Sequence, residues 1–94
     1  MSADLRCAVN PSRPATLDAE HVAWVNHEAY YFSTRAAKRR FGRHPAYWCD
    51  TVTDPVTLER FRPRGDEPVA YHRGRPYFFL TEESRSAFVA DPEP

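Results

Sequence analysis

Short aromatic and β-branched runs flank polar connectors at two places along the chain. Residues 21–25 and 29–32 flank a polar triplet at 26–28, and residues 69–71 and 77–79 flank a connector at 72–75 that contains Gly74. A glycine-containing connector between such runs is typical of a β-hairpin. The pattern therefore predicts two hairpins, one in each half of the chain.

A helix is predicted after each hairpin. Thr34 and Thr81 lie where an N-cap belongs, because a threonine hydroxyl can accept a hydrogen bond from a helical N–H that has no partner within the helix. We expect the two helices to end before Pro45 and Pro92, since the residue that precedes a proline disfavours the α conformation. Hairpins followed by helices predict an α+β fold.

The two hairpin-plus-helix segments repeat one pattern at a constant offset of 47 residues (77 − 30). The aromatic strands carry the clearest match, in which Tyr30, Tyr31 and Phe32 correspond to Tyr77, Phe78 and Phe79. Such a period is the signature of tandem modules. Each half alone is near the size at which a hydrophobic core becomes marginal. We therefore expect residues 1–50 and 51–94 to be two repeats that share one core and pack as one pseudo-twofold unit.

Charge and hydropathy narrow the class of protein. The formal net charge is zero, so composition does not indicate nucleic acid or an anionic membrane as an obligatory partner. The sequence contains no apolar run long enough to span a bilayer and no apolar signal segment near residue 1, which predicts a soluble, cytoplasmic protein. Residues 1–50 carry seven basic against five acidic side chains, and residues 51–94 carry six against eight. These opposite signs favour head-to-tail contact, including self-association.

Several motifs of the second half resemble the YHS domain, a small module related to the metal-binding TRASH domains. They are the segment 54–57 (Asp-Pro-Val-Thr), the aromatic strand after Gly74, and Phe88 followed by Asp91 and Pro92. The first half is similar in its aromatic strand, in Phe41 and in the segment 44–47. The resemblance implies metal handling, or an accessory role beside a metalloenzyme.

The resemblance also implies three cysteine positions in each repeat, and all six hold other residues. These are Asn10, Ser33 and Ala37 in the first half and Thr57, Leu80 and Ser84 in the second. A soft metal ion needs converging thiolate or imidazole donors. The metal site that the resemblance implies is therefore expected to be lost from both repeats, and burial of the aromatic hairpins is expected to replace its contribution to folding.

A different metal site is the first alternative. Cys7, Cys49, His27 and His44 would be its ligands for copper, zinc or iron, and Cys7 lies three residues before one of the lost cysteine positions. None of these residues has the spacing of a known metal-ligand pair. The main expectation is therefore two structural thiols and no cofactor.

The first helix carries the most basic surface. Its basic residues form either a solvated helix face or a docking surface for an acidic protein partner, and the candidates for that surface are Arg35, Lys38, Arg39 and Arg43. The second helix is acidic and does not extend this surface, which argues against nucleic acid as the partner.

Four aromatic residues suggest a second alternative. Trp24, Tyr30, Tyr47 and Trp48 are candidates to line a small-ligand pocket between the repeats, or else to belong to the core. No nucleophile and base have a recognisable local context, so catalysis is not expected. The sequence thus predicts a non-catalytic binding or accessory protein, with a transition-metal binder and a small-ligand binder as the alternatives.

Overall fold

The computed structural model describes residues 5–92 of the chain. After a single 3-10 turn at Ala19–His21 come strands β1 (Val22–Val25) and β2 (Glu28–Tyr31), then helices α1 (Arg35–Arg43) and α2 (Pro45–Trp48). Strands β3 (Val52–Thr53), β4 (Arg60–Phe61), β5 (Val69–His72) and β6 (Arg75–Phe78) follow, and helix α3 (Glu82–Ala90) comes last. The predicted α+β class is confirmed.

Both predicted hairpins form, each around a two-residue turn. Strand β1 pairs antiparallel with β2, and β5 with β6. The turns contain Asn26 and His27 (φ 52° and 68°) and Arg73 and Gly74 (φ 55° and 77°). Positive φ at both central positions is the geometry that matches the twist of a two-residue hairpin. A third hairpin, β3 with β4, was not predicted, because two-residue strands are too short to show alternation.

The elements recur at the spacing of the sequence repeat. Strands β1 and β2 and helix α1 begin at residues 22, 28 and 35, and β5, β6 and α3 begin at residues 69, 75 and 82. Each later element thus starts 47 residues after its counterpart (69 − 22). Strand β1 lies beside β6, whereas no comparable contact joins β2 to β5 within residues 5–92.

The helix boundaries agree with the capping and proline rules. The Thr34 hydroxyl accepts a hydrogen bond from the Ala37 N–H at 3.1 Å, and the Thr81 hydroxyl accepts one from the Ser84 N–H at 3.1 Å. Helices α1 and α3 end before the residue that precedes each proline, as predicted. The short helix α2 was not predicted, and it begins with Pro45, whose fixed φ suits a first helical position. Among the described residues, no helix combines the length and apolar character needed to cross a membrane.

Two groups of buried side chains form the core, and strand β6 contributes to both. The larger contains Cys7, Val9, Val25, Phe32, Phe41, Ala46, Cys49, Val52 and Phe78, and the smaller contains Ala70, Tyr77, Phe79 and Phe88. Successive side chains of a strand point to opposite faces. Phe78 therefore packs into the core of the first half, while its neighbours Tyr77 and Phe79 pack on Phe88 of α3.

The side chain of Asn26 joins the two halves. Its Oδ1 accepts a hydrogen bond from the Phe78 N–H at 2.8 Å, and its Nδ2 donates to the Phe78 carbonyl at 2.9 Å and to the Thr53 carbonyl at 2.8 Å. The Asn26 N–H also donates to the Pro76 carbonyl at 3.5 Å. The carboxamide thus pairs with the backbone of β6 as a neighbouring strand would. Because Asn26 is only 3% exposed, water cannot replace these partners.

We expect the substitution Asn26→Gly to lower the free energy of unfolding by about 2–4 kcal/mol, because three buried backbone groups lose their partners. Glycine keeps the positive φ of the turn, so backbone strain does not contribute. Urea unfolding followed by circular dichroism measures the change.

The matched control is Leu58→Gly at another positive-φ position, where the side chain is 74% exposed. This change should alter the free energy of unfolding by less than about 1 kcal/mol. A loss in the Asn26 variant no larger than in this control would show that the carboxamide does not hold the halves together.

Candidate functional site

In the second half, the three positions at which the resemblance implies cysteines converge on one carboxylate, that of Asp54. Its Oδ1 accepts hydrogen bonds from the N–H groups of Val56 at 2.8 Å and Thr57 at 3.1 Å. Its Oδ2 accepts from the Leu80 N–H at 2.9 Å and from the Ser84 hydroxyl at 2.7 Å. Thr57, Leu80 and Ser84 are the positions where the resemblance implies cysteines. A buried carboxylate therefore occupies the centre of this arrangement.

The donors around Asp54 keep its carboxylate ionised. Burial raises the pKa of this carboxyl, but the hydrogen bonds from Leu80, Ser84, Val56 and Thr57 together lower it below its ordinary value. Asp54 is fully buried, and its charge is balanced by four donors, three of them backbone amides. The arrangement is suited to fixing the loop after β3 against the start of α3.

In the first half, Cys7 takes the place that corresponds to Asp54 at the offset of 47 residues. Burial raises the pKa of the Cys7 thiol, but hydrogen bonds from the side chain and backbone of Ser33 and from the backbone of Asn10 and Val9 lower it overall. Asn10, Ser33 and Ala37 line one groove on this side of the molecule. The three positions at which the resemblance implies cysteines thus lie close together in the first half as well.

The four proposed metal ligands have separate neighbours. Cys7 contacts Ser33, whereas the Cys49 thiol is hydrogen bonded to Tyr30, and burial raises the pKa of Cys49. The His27 ring packs on Tyr77 at 5.1 Å, and the His44 ring lies 6.0 Å from that of Tyr47. Within residues 5–92, no three His, Cys, Asp or Glu side chains form a group able to hold a metal ion. Both cysteines are free and buried.

A cleft of about 360 Å³ lies between the two halves and is the candidate binding site. One wall is β1 with the Trp24 side chain, and a second is α1 with Lys38 and Gly42. The third wall is the β5–β6 hairpin, with Tyr71, Gly74, Arg75 and Pro76. Its position follows from the junction at Asn26, which holds the end of β1 against β6 and so sets the hairpin opposite α1.

The charged side chains that line this cleft are both cationic. The Arg75 guanidinium lies 4.9 Å from the centre of the Trp24 ring, a cation–π contact that crosses between the halves. The Lys38 ammonium donates to the Glu20 carbonyl at 3.4 Å. In the described part of the chain, neither Lys38 nor Arg75 forms an ion pair, and no carboxylate lines the cleft.

Of the four aromatic candidates for a ligand pocket, Trp24 lines the cleft and the other three do not. Tyr30 lies on the face of the β1–β2 hairpin opposite to Trp24, and its ring packs on that of Phe41 at 5.2 Å. Tyr47 and Trp48 belong to α2, beyond the end of the cleft, where their rings contact each other at 4.8 Å. The Arg40 guanidinium lies over Trp48 at 5.3 Å.

The predicted basic surface of α1 is partly neutralised. Arg35 forms an ion pair with Glu20, and the Lys38 ammonium donates to the Glu20 carbonyl. Arg39 and Arg43 are exposed and have no ion pair among residues 5–92. The free cations of the predicted docking surface are therefore Arg39 and Arg43.

Three residues that define the junction and the cleft carry no signal of that role in the sequence: Asn26, Tyr71 and Arg75. Asn26 has the signal of a hairpin turn, and nothing local indicates its partners 52 residues away. The sequence places Asp54 in a motif but does not indicate its bonds to Leu80 and Ser84, 26 and 30 residues away. Arg75 is the last residue of the connector predicted at 72–75, where a basic residue ordinarily indicates solvent exposure.

We expect Asp54→Asn to lower the free energy of unfolding by about 2–4 kcal/mol at pH 7, because the new NH2 group faces N–H donors. The pKa of Asp54 is lower in the folded chain than in the unfolded chain, where it is about 3.9. The ionised carboxylate therefore stabilises the fold in full at any pH above about 3.9. That contribution is lost as the pH falls through the folded pKa. Denaturant unfolding at a series of pH values measures the difference between the two proteins.

The matched control is Ser84→Ala, which removes one donor and keeps the carboxylate. It should cost about 1 kcal/mol and retain the acid sensitivity of the unsubstituted protein. If the gap between Asp54→Asn and the unsubstituted protein does not narrow below about pH 4, the stabilisation does not come from an ionised Asp54.

Comparison with protein-family models, with curated proteins and with solved structures gives no match to this chain. The similarity to the YHS domain therefore rests on the motifs and on the spacing of the elements.

Proposed function

We propose that this chain is a non-catalytic binding protein, built from two YHS-like repeats whose thiolate metal site is lost. Its binding site is the cleft between the halves. The observation that carries the proposal is the convergence of Trp24, Lys38, Tyr71 and Arg75 on one cavity of about 360 Å³. A cavity of this size with a mostly apolar lining and a few polar groups is typical of small-ligand sites.

The loss of the metal site is supported by what replaces it. Asp54 and its four donors satisfy one another, so this part of the second half is an internal structural contact. Cys7 is hydrogen bonded in the corresponding part of the first half. The pseudo-twofold arrangement of the repeats stays a prediction, as does an accessory role beside a metalloenzyme. An acidic protein partner would dock on Arg39 and Arg43, next to the cleft.

Filling the cleft tests the proposal. An added Cβ at Gly42 would meet no atom within 4 Å, so a large side chain there can enter the cleft without backbone strain. We expect Gly42→Phe to abolish the binding of small aromatic fragments that shift the Trp24 indole signal in nitrogen–proton NMR spectra. Trp48 lies outside the cleft, and its indole signal serves as the internal reference.

The control is Gly42→Ala, which should leave fragment binding within about twofold. It should raise the free energy of unfolding by about 0.5–1 kcal/mol, because alanine favours the helix more than glycine does. If no fragment shifts Trp24, or if Gly42→Phe binds as well as Gly42→Ala, the cleft is not the binding site.

The metal alternative is tested by elemental analysis of protein purified without an affinity tag. We expect less than about 0.1 equivalent of copper, zinc or iron per chain, because each candidate ligand has its own neighbours and the cysteines are buried. The double variant Cys7→Ser/Cys49→Ser is the control. A stoichiometric metal that this variant loses would establish the transition-metal binder instead.

A further inference from the structure

We propose that the ligand of the cleft is a small planar molecule that carries a carboxylate. The inference rests on the proposed function and adds the chemical class of the ligand. Its apolar body lies against Trp24, Pro45 and Pro76, and its carboxylate is directed towards Lys38 and Arg75, all of which line the cleft.

The charge of the lining favours an anion. Lys38 and Arg75 come from different halves of the chain and both line one cavity, and neither has an acidic partner in the structure of residues 5–92. The Lys38 ammonium donates to the Glu20 carbonyl, and the carboxylate of Glu20 is paired with Arg35. A carboxylate would supply the counter-charge that the cleft lacks, and ionised hydrogen bonds are stronger than neutral ones.

The shape of the lining favours a planar apolar body. Trp24 presents its indole to the cleft beneath the Arg75 guanidinium. Tyr71 is 70% exposed at the rim, so most of its ring is available for contact. Aromatic surfaces bind flat rings by stacked or edge contacts. The volume of about 360 Å³ lies at the lower end of the range for ligand pockets, which indicates a compact molecule.

The cationic groups are partly ordered before a ligand arrives. The Arg75 guanidinium lies over the Trp24 ring, and the Lys38 ammonium donates to the Glu20 carbonyl at 3.4 Å. Binding then loses less side-chain entropy than it would with free lysine and arginine side chains. The pair can therefore discriminate a carboxylate from a neutral group of the same shape.

The test compares two probes that share a bicyclic ring: naphthoate, which is anionic, and naphthylmethanol, which is neutral. Each is titrated into the full chain, and the indole signals of Trp24 and Trp48 are followed by nitrogen–proton NMR. We expect naphthoate to shift the Trp24 signal and to bind about tenfold more tightly than naphthylmethanol. Its affinity should fall as salt is added, because the charges are partly exposed.

Two variants test whether Lys38 and Arg75 bind the carboxylate of naphthoate. Lys38→Gln and Arg75→Gln should each weaken naphthoate about fivefold to tenfold and change naphthylmethanol less than about twofold. Arg39→Gln is the matched control, since it removes a cation from the same helix outside the cleft and should leave both affinities unchanged. Melting temperatures of all three variants verify that the fold is retained.

The possible outcomes distinguish the preference for a carboxylate from the use of the cleft as the binding site. Equal binding of both probes, or naphthoate affinity unaffected by Lys38→Gln and Arg75→Gln, overturns the carboxylate while the cleft stays the binding site. Failure of both probes and of neutral fragments to shift Trp24 overturns the cleft and the proposed function together. A naphthoate shift centred on Trp48, or lost in Arg39→Gln, places the anion on the outer face of α1 and also overturns the inference.

Discussion

The fold depends on one carboxamide, that of Asn26. This residue occupies a positive-φ position in the turn after β1, which asparagine tolerates better than most residues. From there its side chain satisfies the backbone of Phe78 in the second half and the carbonyl of Thr53 in the third hairpin. Since each sheet has only two strands, these bonds do what additional strands do in a larger sheet. Without them β6 would present unpaired backbone groups inside the molecule.

A second constraint is the buried charge of Asp54. A metal ion bound by loop cysteines connects segments that are far apart in sequence, and Asp54 connects the same kind of segments with hydrogen bonds. It joins its own loop to the start of α3 through Leu80 and Ser84, 26 and 30 residues away. Cys7 makes the corresponding contact to Ser33 in the first half with a weaker acceptor, sulfur.

Local chemistry made much of the fold predictable from sequence. The hairpins follow from strand alternation and turn residues, and the helix ends follow from Thr34, Thr81 and the prolines, because each rule concerns neighbouring residues. The third hairpin escaped prediction since β3 and β4 have two residues each. Among the residues that line the candidate site, only Trp24 was a ligand-pocket candidate from the sequence. Tyr71 and Arg75 reach it through the Asn26 junction, and a partner 52 residues away leaves no local pattern.

The junction and the cleft are therefore thermodynamically linked. The cleft has walls from both halves, and the Arg75–Trp24 contact across it exists only while β1 and β6 stay together. A ligand that spans Lys38 and Arg75 binds the joined state and not the separated one, so it stabilises the junction by mass action. Conversely, any opening at Asn26 separates the two cations and weakens the ligand by the same free energy. Ligand affinity and the stability of the connection between the halves are thus two measures of one equilibrium.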